Sequence, residues 1–160
     1  MRIVQATAEL LLEKKLTLSV CESCTGGMFG SMLTCIPGSS RYFSGGIIAY
    51  SNQVKQKIVG IHYRTLKRYG AVSAEVAKEM AQGVRRKFKT DLGLAITGIA
   101  GPTGGTSKKP VGTVYICITA GQYVYIEHHK FTGQRSQIRK AACTRALRFL
   151  RLSLIKNKQI

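Results

Sequence analysis

The sequence predicts an α/β fold: a single-domain three-layer α/β/α sandwich with a mixed β-sheet, covering residues 1–160. Strand-like and helix-like segments alternate early in the chain, which favours parallel strands joined by helices. Two strand-like segments then follow one another, which favours an antiparallel hairpin. A length of 160 residues suits one domain with its own core, and a hydrophobic content of 44% argues against disorder. We therefore expect one sheet covered by helices on both faces.

The N-terminal segment MRIVQATAELLLEKK predicts an amphipathic helix. Its apolar residues on one helical face are Ile3, Val4, Leu10 and Leu11. Charges flank the apolar patch on both sides and no small-residue cleavage site follows, so we do not expect a signal peptide. No apolar run in the chain reaches the roughly 18 residues of a membrane span. These features predict a cytoplasmic protein with no membrane partner.

The remaining elements are predicted from alternation, capping residues and apolar stripes. A strand at Leu16–Val20 is followed by a short helix at 25–34, whose first turn holds two glycines. The later elements, in chain order, are a strand at Gly45–Tyr50, a helix capped by Ser51 and ended by Gly60, a longer helix capped by Ser73, a strand at Leu92–Thr97, hairpin strands at Thr113–Thr119 and Tyr123–Phe131, and a last helix from about Gly133 to about Ile155.

The charge is the least ordinary bulk property of the chain. Lys and Arg number 25 against 7 Asp and Glu, which gives a formal net charge of +18. Such a surface attracts phosphates, so nucleic acid is one candidate partner, and a basic surface that only keeps the protein soluble is the other interpretation. Arg135 and Arg139 lie at the start of the last helix, where the helix dipole disfavours cations. Their position indicates a specific anionic partner.

The segment VCESCTGGMFGS at residues 20–31 carries two cysteines followed by two glycines. The chain has 5 cysteines, an odd number that argues against a disulfide framework. A redox C-x-x-C motif needs its first cysteine at a helix start, whereas Cys21 closes the predicted strand and Thr25 lies nearer the helix. The alternative uses Thr25, Gly26 and Gly27, because glycines at a helix start let backbone N–H groups approach an anion closely. Tight helix–strand packing explains the same glycines equally well.

The stretch YSNQVK at residues 50–55 predicts a candidate base. If Ser51 is the N-cap, Tyr50 and Lys55 occupy the two flanking positions that meet in space. Lys55 then lies near the positive end of its helix, which lowers the pKa of its ammonium group. Such a lysine can accept a proton and the tyrosine can relay it. An exposed lysine packed on a tyrosine ring is the alternative.

Candidate nucleophiles are the hydroxyls of Ser23 and of Ser39 and Ser40 in the turn PGSS, although loop serines are usually turn formers. The three histidines lie away from the glycine-rich segments, and His128 and His129 point to opposite faces of a strand. We therefore expect no catalytic metal and no cofactor. The loop GIAGPTGGTSKKPVG lacks the order of a Walker A motif and is interpreted as a ligand cradle or as a plain surface loop.

Several segments occur in the order and spacing of one protein family: ESCTGG at 22–27, PGSSRYFSGGIIAYSNQVK at 37–55, YGAVSAEVAKEMA at 69–81, TGIAGPTGG at 97–105 and KPVGTVY at 109–115. Together they resemble the C-terminal domain of the competence-damage-inducible protein CinA, in its stand-alone form. The resemblance spans nearly the whole chain. It implies a nicotinamide-nucleotide amidohydrolase that converts nicotinamide mononucleotide to nicotinate mononucleotide and ammonia, in pyridine nucleotide salvage, and it suggests a homodimer.

The resemblance also implies a metal-independent serine–lysine site. Its catalytic candidates are Ser40 as the favoured nucleophile, Lys55 as the base, Tyr50 as its helper and Ser23 as a residue that orients the carboxamide or the lysine. The candidates for substrate binding are Thr25, Gly26, Gly27, Gly38, Ser39, Thr97, Gly98 and Arg135. Among these, Arg135 and the turn at 25–27 are expected to hold the phosphate. A nucleic-acid-binding module and a nucleotide-binding protein without turnover are the alternatives.

Overall fold

The structure, a computed structural model, describes residues 2–156. Its helices are α1 (Arg2–Glu13), α2 (Met28–Thr34), α3 (Asn52–Val54), α4 (Tyr63–Tyr69), α5 (Ala74–Phe88) and α6 (Arg135–Lys156). Its strands are β1 (Leu18–Glu22), β2 (Phe43–Ile48), β3 (Leu92–Gly98), β4 (Thr113–Ala120) and β5 (Tyr123–Lys130). Across the described residues, no helix is long and apolar enough to cross a bilayer.

The strands form one mixed sheet in the order β2-β1-β3-β4-β5. β1 pairs in parallel with both β2 and β3, and the hairpin of β4 and β5 continues the sheet with antiparallel pairing. Parallel neighbours need crossover connections, which the helices between β1, β2 and β3 provide, whereas antiparallel neighbours need only a tight turn. The predicted mixed sheet is therefore confirmed.

Helices cover both faces of this sheet. On one face, α1, α2 and α6 enclose a core that includes Leu18, Val20, Leu94, Ile116 and Leu147. On the other face, α5 packs across β1, β3 and β4 and carries α4 on its outer side. That second core includes Val76, Met80, Val84 and Ala95. The predicted three-layer α/β/α sandwich is confirmed.

The first strand lies two residues later than the sequence predicts. It is Leu18–Glu22 rather than Leu16–Val20, because the N–H of Leu16 donates to Leu11 O and so belongs to the end of α1. The shift brings Glu22 into the strand and places Ser23 directly after it. Every residue of β1 is buried, so burial on both faces, and not alternation, characterises this strand.

The helix capped by Ser51 is α-helical only over Asn52–Val54 and then widens into a π-helical segment at Lys55–Val59. Ser51 Oγ accepts a hydrogen bond from the N–H of Val54 at 3.2 Å, as an N-cap should. The N–H groups of residues 60 and 61 both donate to the carbonyl of Lys55, which closes the wider turn. π-helical turns are rare and frequently lie at functional sites. Helix α4 is not predicted from the sequence, because Leu66 is its only buried residue.

Candidate active site

A cavity of about 200 Å³ opens at the edge of the sheet where the parallel strands end. Ser23 follows β1, Lys55 lies beyond the end of β2, and Thr97 is the second-last residue of β3. The lining consists of Ser23, Cys24, Tyr50, Asn52, Lys55, Ala71, Val72, Thr97, Gly98, Ala100 and Arg135. Carboxyl ends of parallel strands are the usual location of ligand sites in α/β sheets, so this cavity is the candidate active site.

The side chain of Lys55 is buried beneath this cavity, with only 1% of it exposed. Its Nζ atom donates to Ser23 Oγ at 3.0 Å, to Ala49 O at 2.7 Å and to Tyr50 O at 3.3 Å. All three partners are uncharged oxygen atoms. Within the described residues, no carboxylate forms an ion pair with this amine that would stabilise its charged form. Burial lowers the pKa of Lys55, in the direction expected from the sequence but with a different cause.

Ser23 is fixed by its own backbone. Its N–H donates to Ile96 O at 2.9 Å, which extends the pairing of β1 with β3 by one residue. The side chain is buried, and its Oγ atom faces the Lys55 amine at hydrogen-bond distance. A rigid serine beside a buried lysine is the arrangement that activates a hydroxyl nucleophile.

The cysteines of the same segment are poorly suited to chemistry. Burial raises the pKa of Cys24, which lines the cavity, to about 11. Burial likewise raises the pKa of Cys21 to about 12. Both thiols stay protonated at neutral pH, and a reactive cysteine needs the thiolate. The redox interpretation of C-x-x-C is therefore disfavoured, as the sequence argument held.

Tyr50 has a different role from the predicted one. Its carbonyl oxygen, and not its phenol, is hydrogen-bonded to Lys55. The phenol oxygen accepts from Arg135 Nη2 at 2.7 Å, and the Nη1 of the same guanidinium donates to Gly101 O at 2.7 Å. The tyrosine ring is 59% exposed at the cavity rim. The expected proton relay through the phenol is not the arrangement seen, since the phenol orients Arg135 instead.

The sequence of the whole domain matches a known family. The model of the CinA C-terminal domain family matches residues 1–154. The chain belongs to the CinA C-terminal domain family. The CinA-like protein of Pseudothermotoga lettingae is 50% identical over 135 residues, which are 84% of this chain and 33% of that protein. The CinA-like protein of Syntrophomonas wolfei is 46% identical over 152 residues, or 95% of this chain and 36% of that protein. The chain thus spans only about a third of the length of these curated CinA relatives.

Solved structures of the CinA family share the fold over nearly their full length. The competence/damage inducible protein CihA from Agrobacterium tumefaciens matches with a TM-score of 0.92 and 34% identity, covering 96% of this chain and 93% of that one. The CinA superfamily protein from Enterobacter cloacae matches with a TM-score of 0.91 and 30% identity, covering 95% and 90%. The family resemblance predicted from the motifs is confirmed.

An internal carboxylate binds the start of α2, beside the glycine turn that was expected to hold a phosphate in this CinA domain. The buried carboxylate of Glu22 accepts from the N–H groups of Gly27 at 3.0 Å, Phe29 at 3.1 Å and Gly30 at 2.8 Å. Of the donors expected for an outside anion, the N–H of Gly27 is thus bonded to an internal carboxylate, and the N–H of Gly26 donates to Ser23 O at 3.2 Å. The turn anchors the start of α2 to β1. Thr25, Gly26 and Gly27 do not line the cavity of Ser23 and Lys55, and their part in substrate binding stays a prediction.

The PGSS turn lies away from the CinA cavity. Ser39–Arg41 form a 3₁₀ turn before β2, whereas Lys55 follows the far end of the same strand. Six extended residues span about 20 Å, so the two sites are at opposite edges of the sheet. Ser40 is exposed and, with Gly38 and Ser39, is absent from the cavity lining. The predicted pairing of a Ser40 nucleophile with Lys55 is not found within this chain.

The two remaining predicted residues of this CinA site do line the cavity. Thr97 is fully buried and donates its hydroxyl to Ala71 O at 2.8 Å, which ties the loop after α4 to β3. Gly98 has no room for a side chain, because a Cβ atom there would lie 2.8 Å from Thr113 O and 3.1 Å from Cys24 Sγ. Both residues shape the cavity wall.

Sequence reasoning missed Asn52, which joins Lys55 in the cavity lining. Its position within YSNQVK, directly after the N-cap, was a usable signal. It also missed Ala71 and Val72, which lie in the loop between α4 and α5 and carry no chemical signature.

Proposed function

We propose that this chain hydrolyses the carboxamide of nicotinamide mononucleotide, giving nicotinate mononucleotide and ammonia. The observation that carries the proposal is the 3.0 Å hydrogen bond between the buried amine of Lys55 and Ser23 Oγ at the bottom of an open cavity. Membership of the CinA C-terminal domain family supports it. The family resemblance indicates the substrate. The geometry of Ser23 and Lys55 indicates a serine–lysine hydrolysis.

The reaction begins with Lys55 in its neutral form, which the burial of the amine favours. The amine takes the hydroxyl proton of Ser23 while Oγ attacks the carboxamide carbon, which forms a tetrahedral intermediate. Lys55 then returns this proton to the nitrogen, the C–N bond breaks, and ammonia leaves an ester on Ser23. Water attacks the ester with Lys55 accepting one of its protons, and collapse of the second intermediate returns this proton to Oγ and frees the carboxylic acid. The acid then loses its remaining proton to solvent and becomes the carboxylate product. We assign the side-chain amide of Asn52, which lines the cavity, to the developing oxyanion.

The guanidinium of Arg135 is the best-placed group for the phosphate. It lies at the cavity rim, and it is oriented by Tyr50 and by Gly101 through hydrogen bonds of 2.7 Å each. A planar guanidinium suits phosphate oxygens because it can donate two parallel hydrogen bonds. The substrate would then place its pyridine ring and carboxamide inward, toward Ser23, and its phosphate outward.

Ammonia release from nicotinamide mononucleotide tests this proposal. We expect wild-type protein to release ammonia and nicotinate mononucleotide in equal amounts, and Ser23→Ala and Lys55→Met to lose this activity. Lys57→Met is the matched control, because Lys57 is an exposed lysine two residues along the same segment. Full activity of Lys55→Met would contradict the proposal. Binding of the nucleotide in calorimetry without product from wild-type protein would instead favour a nucleotide-binding protein without turnover.

A further inference from the structure

The positive charge of this chain is largely left uncompensated by its carboxylates. The net charge is +18, and the ion pairs between residues 2–156 both belong to Glu127, with Arg145 and His129. The carboxylates of Glu22, Glu79 and Asp91 are hydrogen-bonded to backbone N–H or hydroxyl groups rather than to cations. Excess charge of this size is a property that a polyanion can recognise.

Helix α4, at Tyr63–Tyr69, combines this charge with exposed aromatic rings. Its sequence YRTLKRY buries only Leu66, which anchors the helix, and leaves Arg64, Lys67 and Arg68 exposed. Tyr63 is 64% exposed and Tyr69 is 36% exposed. This helix of seven residues therefore presents two exposed aromatic rings and three exposed cations together.

Cations flank both tyrosine rings. Lys67 Nζ lies 6.0 Å from the ring centroid of Tyr63, and the guanidinium carbon of Arg68 lies 5.2 Å from that of Tyr69. Each ring therefore has a phosphate-binding group beside it. Proteins that bind single-stranded nucleic acid use this combination, since bases stack on aromatic rings while cations follow the sugar–phosphate backbone.

We propose that the outer surface of α4 binds single-stranded nucleic acid, through base stacking on Tyr63 and Tyr69 and phosphate contacts from Arg64, Lys67 and Arg68. The site is separate from the cavity of Ser23 and Lys55, and it does not depend on amide hydrolysis. It also differs from the C-terminal helix, where the sequence predicted an anionic partner at Arg135 and Arg139.

Acidic groups near α4 limit where the phosphates can lie. A groove of about 390 Å³ between α4 and α5 is lined by Tyr69, Lys78 and Arg86, but also by Glu75 and Glu79. Glu79 is turned toward the helix start, where it accepts from the N–H of His62 at 2.8 Å and from a threonine hydroxyl. The groove is thus mixed in charge, so the strand is expected to run along the outward side of α4 and to meet the groove only at its border, where Tyr69 lies with Lys78 and Arg86.

An anionic membrane is a poorer partner for this surface. Interfacial helices bury a broad apolar face in the lipid, whereas the one buried apolar residue of α4, Leu66, faces the protein. The outward residues are tyrosines and cations, with Ile58 as a nearby exposed aliphatic side chain. Stacking on rings suits this surface better than insertion into lipid.

Fluorescence anisotropy with a labelled oligothymidylate, measured from 50 to 200 mM salt, tests the proposal. Arg64→Gln/Lys67→Gln/Arg68→Gln removes three cations from α4, and Lys140→Gln/Arg148→Gln/Lys156→Gln removes three exposed cations from α6. The two variants carry the same net charge. We expect the α4 variant to weaken binding at least about tenfold more than the α6 variant and to lower the salt slope by about 2, since each contact with a single strand contributes about 0.7.

The tyrosines provide an independent readout. Tyr63→Leu should weaken binding by about fivefold or more while leaving the salt slope unchanged, because it removes a stacking partner but no charge. Equal losses in the two triple variants, or wild-type affinity for Tyr63→Leu, would overturn the proposal. So would displacement of the oligonucleotide by phosphatidylserine vesicles with the same dependence on α4, since it would make lipid the ligand.

Discussion

The two ends of strand β2 differ in every property that amide hydrolysis needs. Beyond its carboxyl end, Lys55 is 1% exposed, is bonded to three oxygen atoms and lies beside a cavity. Before its amino end, Ser40 lies exposed in a 3₁₀ turn, outside that cavity. Both ends carry family motifs with serine hydroxyls, yet only one end carries a base.

This contrast shows that burial, more than residue type, decides which polar group can react. Removing an amine from water disfavours its charged form, and only a neutral amine accepts a proton. An alcohol in an exposed turn has water for a partner and no base to activate it. Ser23 therefore replaces Ser40 as the candidate nucleophile.

The largest expected effect separates these two serines. Ser23→Ala should lower kcat by about 10³-fold or more, because it removes the group that forms the acyl intermediate. Ser40→Ala should stay within about twofold of wild type. Steady-state ammonia release by the purified variants measures both values. The reverse order, with Ser40→Ala inactive and Ser23→Ala active, would show that the two ends of β2 are brought together in an assembly.

The next effect concerns the phosphate. Arg135→Gln should raise KM for nicotinamide mononucleotide by about 10-fold to 100-fold, since charged hydrogen bonds contribute about 1.5–3 kcal/mol. The KM for nicotinamide riboside, which lacks the phosphate, should hardly change. Tyr50→Phe, which removes only the phenol oxygen that orients the guanidinium, should give a smaller increase with the same substrate selectivity. An equal rise in KM for both substrates would show that Arg135 does not bind the phosphate.

The separation of the PGSS and YSNQVK motifs along β2 could have been predicted from the sequence. A strand was predicted at Gly45–Tyr50, between PGSS and YSNQVK, and any strand of six residues places its flanking motifs about 20 Å apart. The family resemblance grouped Ser40 with Lys55 without applying this limit. The fold class and the Ser51 cap followed from periodicity and capping chemistry, which are local properties.

A smaller effect is expected at Glu22, which we consider a positioning residue. Its carboxylate fixes three N–H groups just after Ser23, so Glu22→Gln loosens the turn that follows the nucleophile. We expect kcat to fall by about 10-fold, an unchanged KM, and a loss of about 2 kcal/mol in the free energy of unfolding. Glu13→Gln, at the exposed end of α1, is the control.

The same variant, Glu22→Gln, can distinguish a direct effect on the titration of the catalytic groups from a loss of stability. The pH dependence of kcat should keep its wild-type midpoint in Glu22→Gln, because the variant leaves the bonds of Lys55 intact. A shifted midpoint would place Glu22 in the titrating system itself, contrary to the geometry.

The role of Glu22 was the part of the site that sequence reasoning could not supply. Glycines before a helix predict free N–H groups equally well for an internal or an external anion. The anion is internal only if the last residue of β1 is acidic and points toward the turn. The predicted strand, Leu16–Val20, ends two residues early and so does not include Glu22. Likewise, the π-helical turn at Lys55–Val59 has no sequence signature that separates it from an α-helix.

The smallest expected effect is on stability and its pH dependence. Burial lowers the pKa of Lys55 in the folded state below the ordinary value of 10.5. Between these two pKa values the unfolded chain binds more protons, so wild-type stability rises with pH relative to Lys55→Met. The difference in the free energy of unfolding, from urea titrations at pH 7 and pH 10, should change by up to about 1.4 kcal/mol per unit of lowering.

The most direct measurement of the central claim is the titration of the Lys55 amine itself. The chemical shift of its Cε carbon, followed by NMR as the pH is raised, reports the protonation of Nζ, and the same carbon in the urea-unfolded chain gives the reference midpoint. The burial of Lys55 predicts a midpoint clearly below that reference in the folded protein. In Ser23→Ala the midpoint should stay low, because burial is unchanged. A midpoint in the folded protein at or above the reference would mean that the amine stays charged at neutral pH, and Lys55 could not then serve as the base.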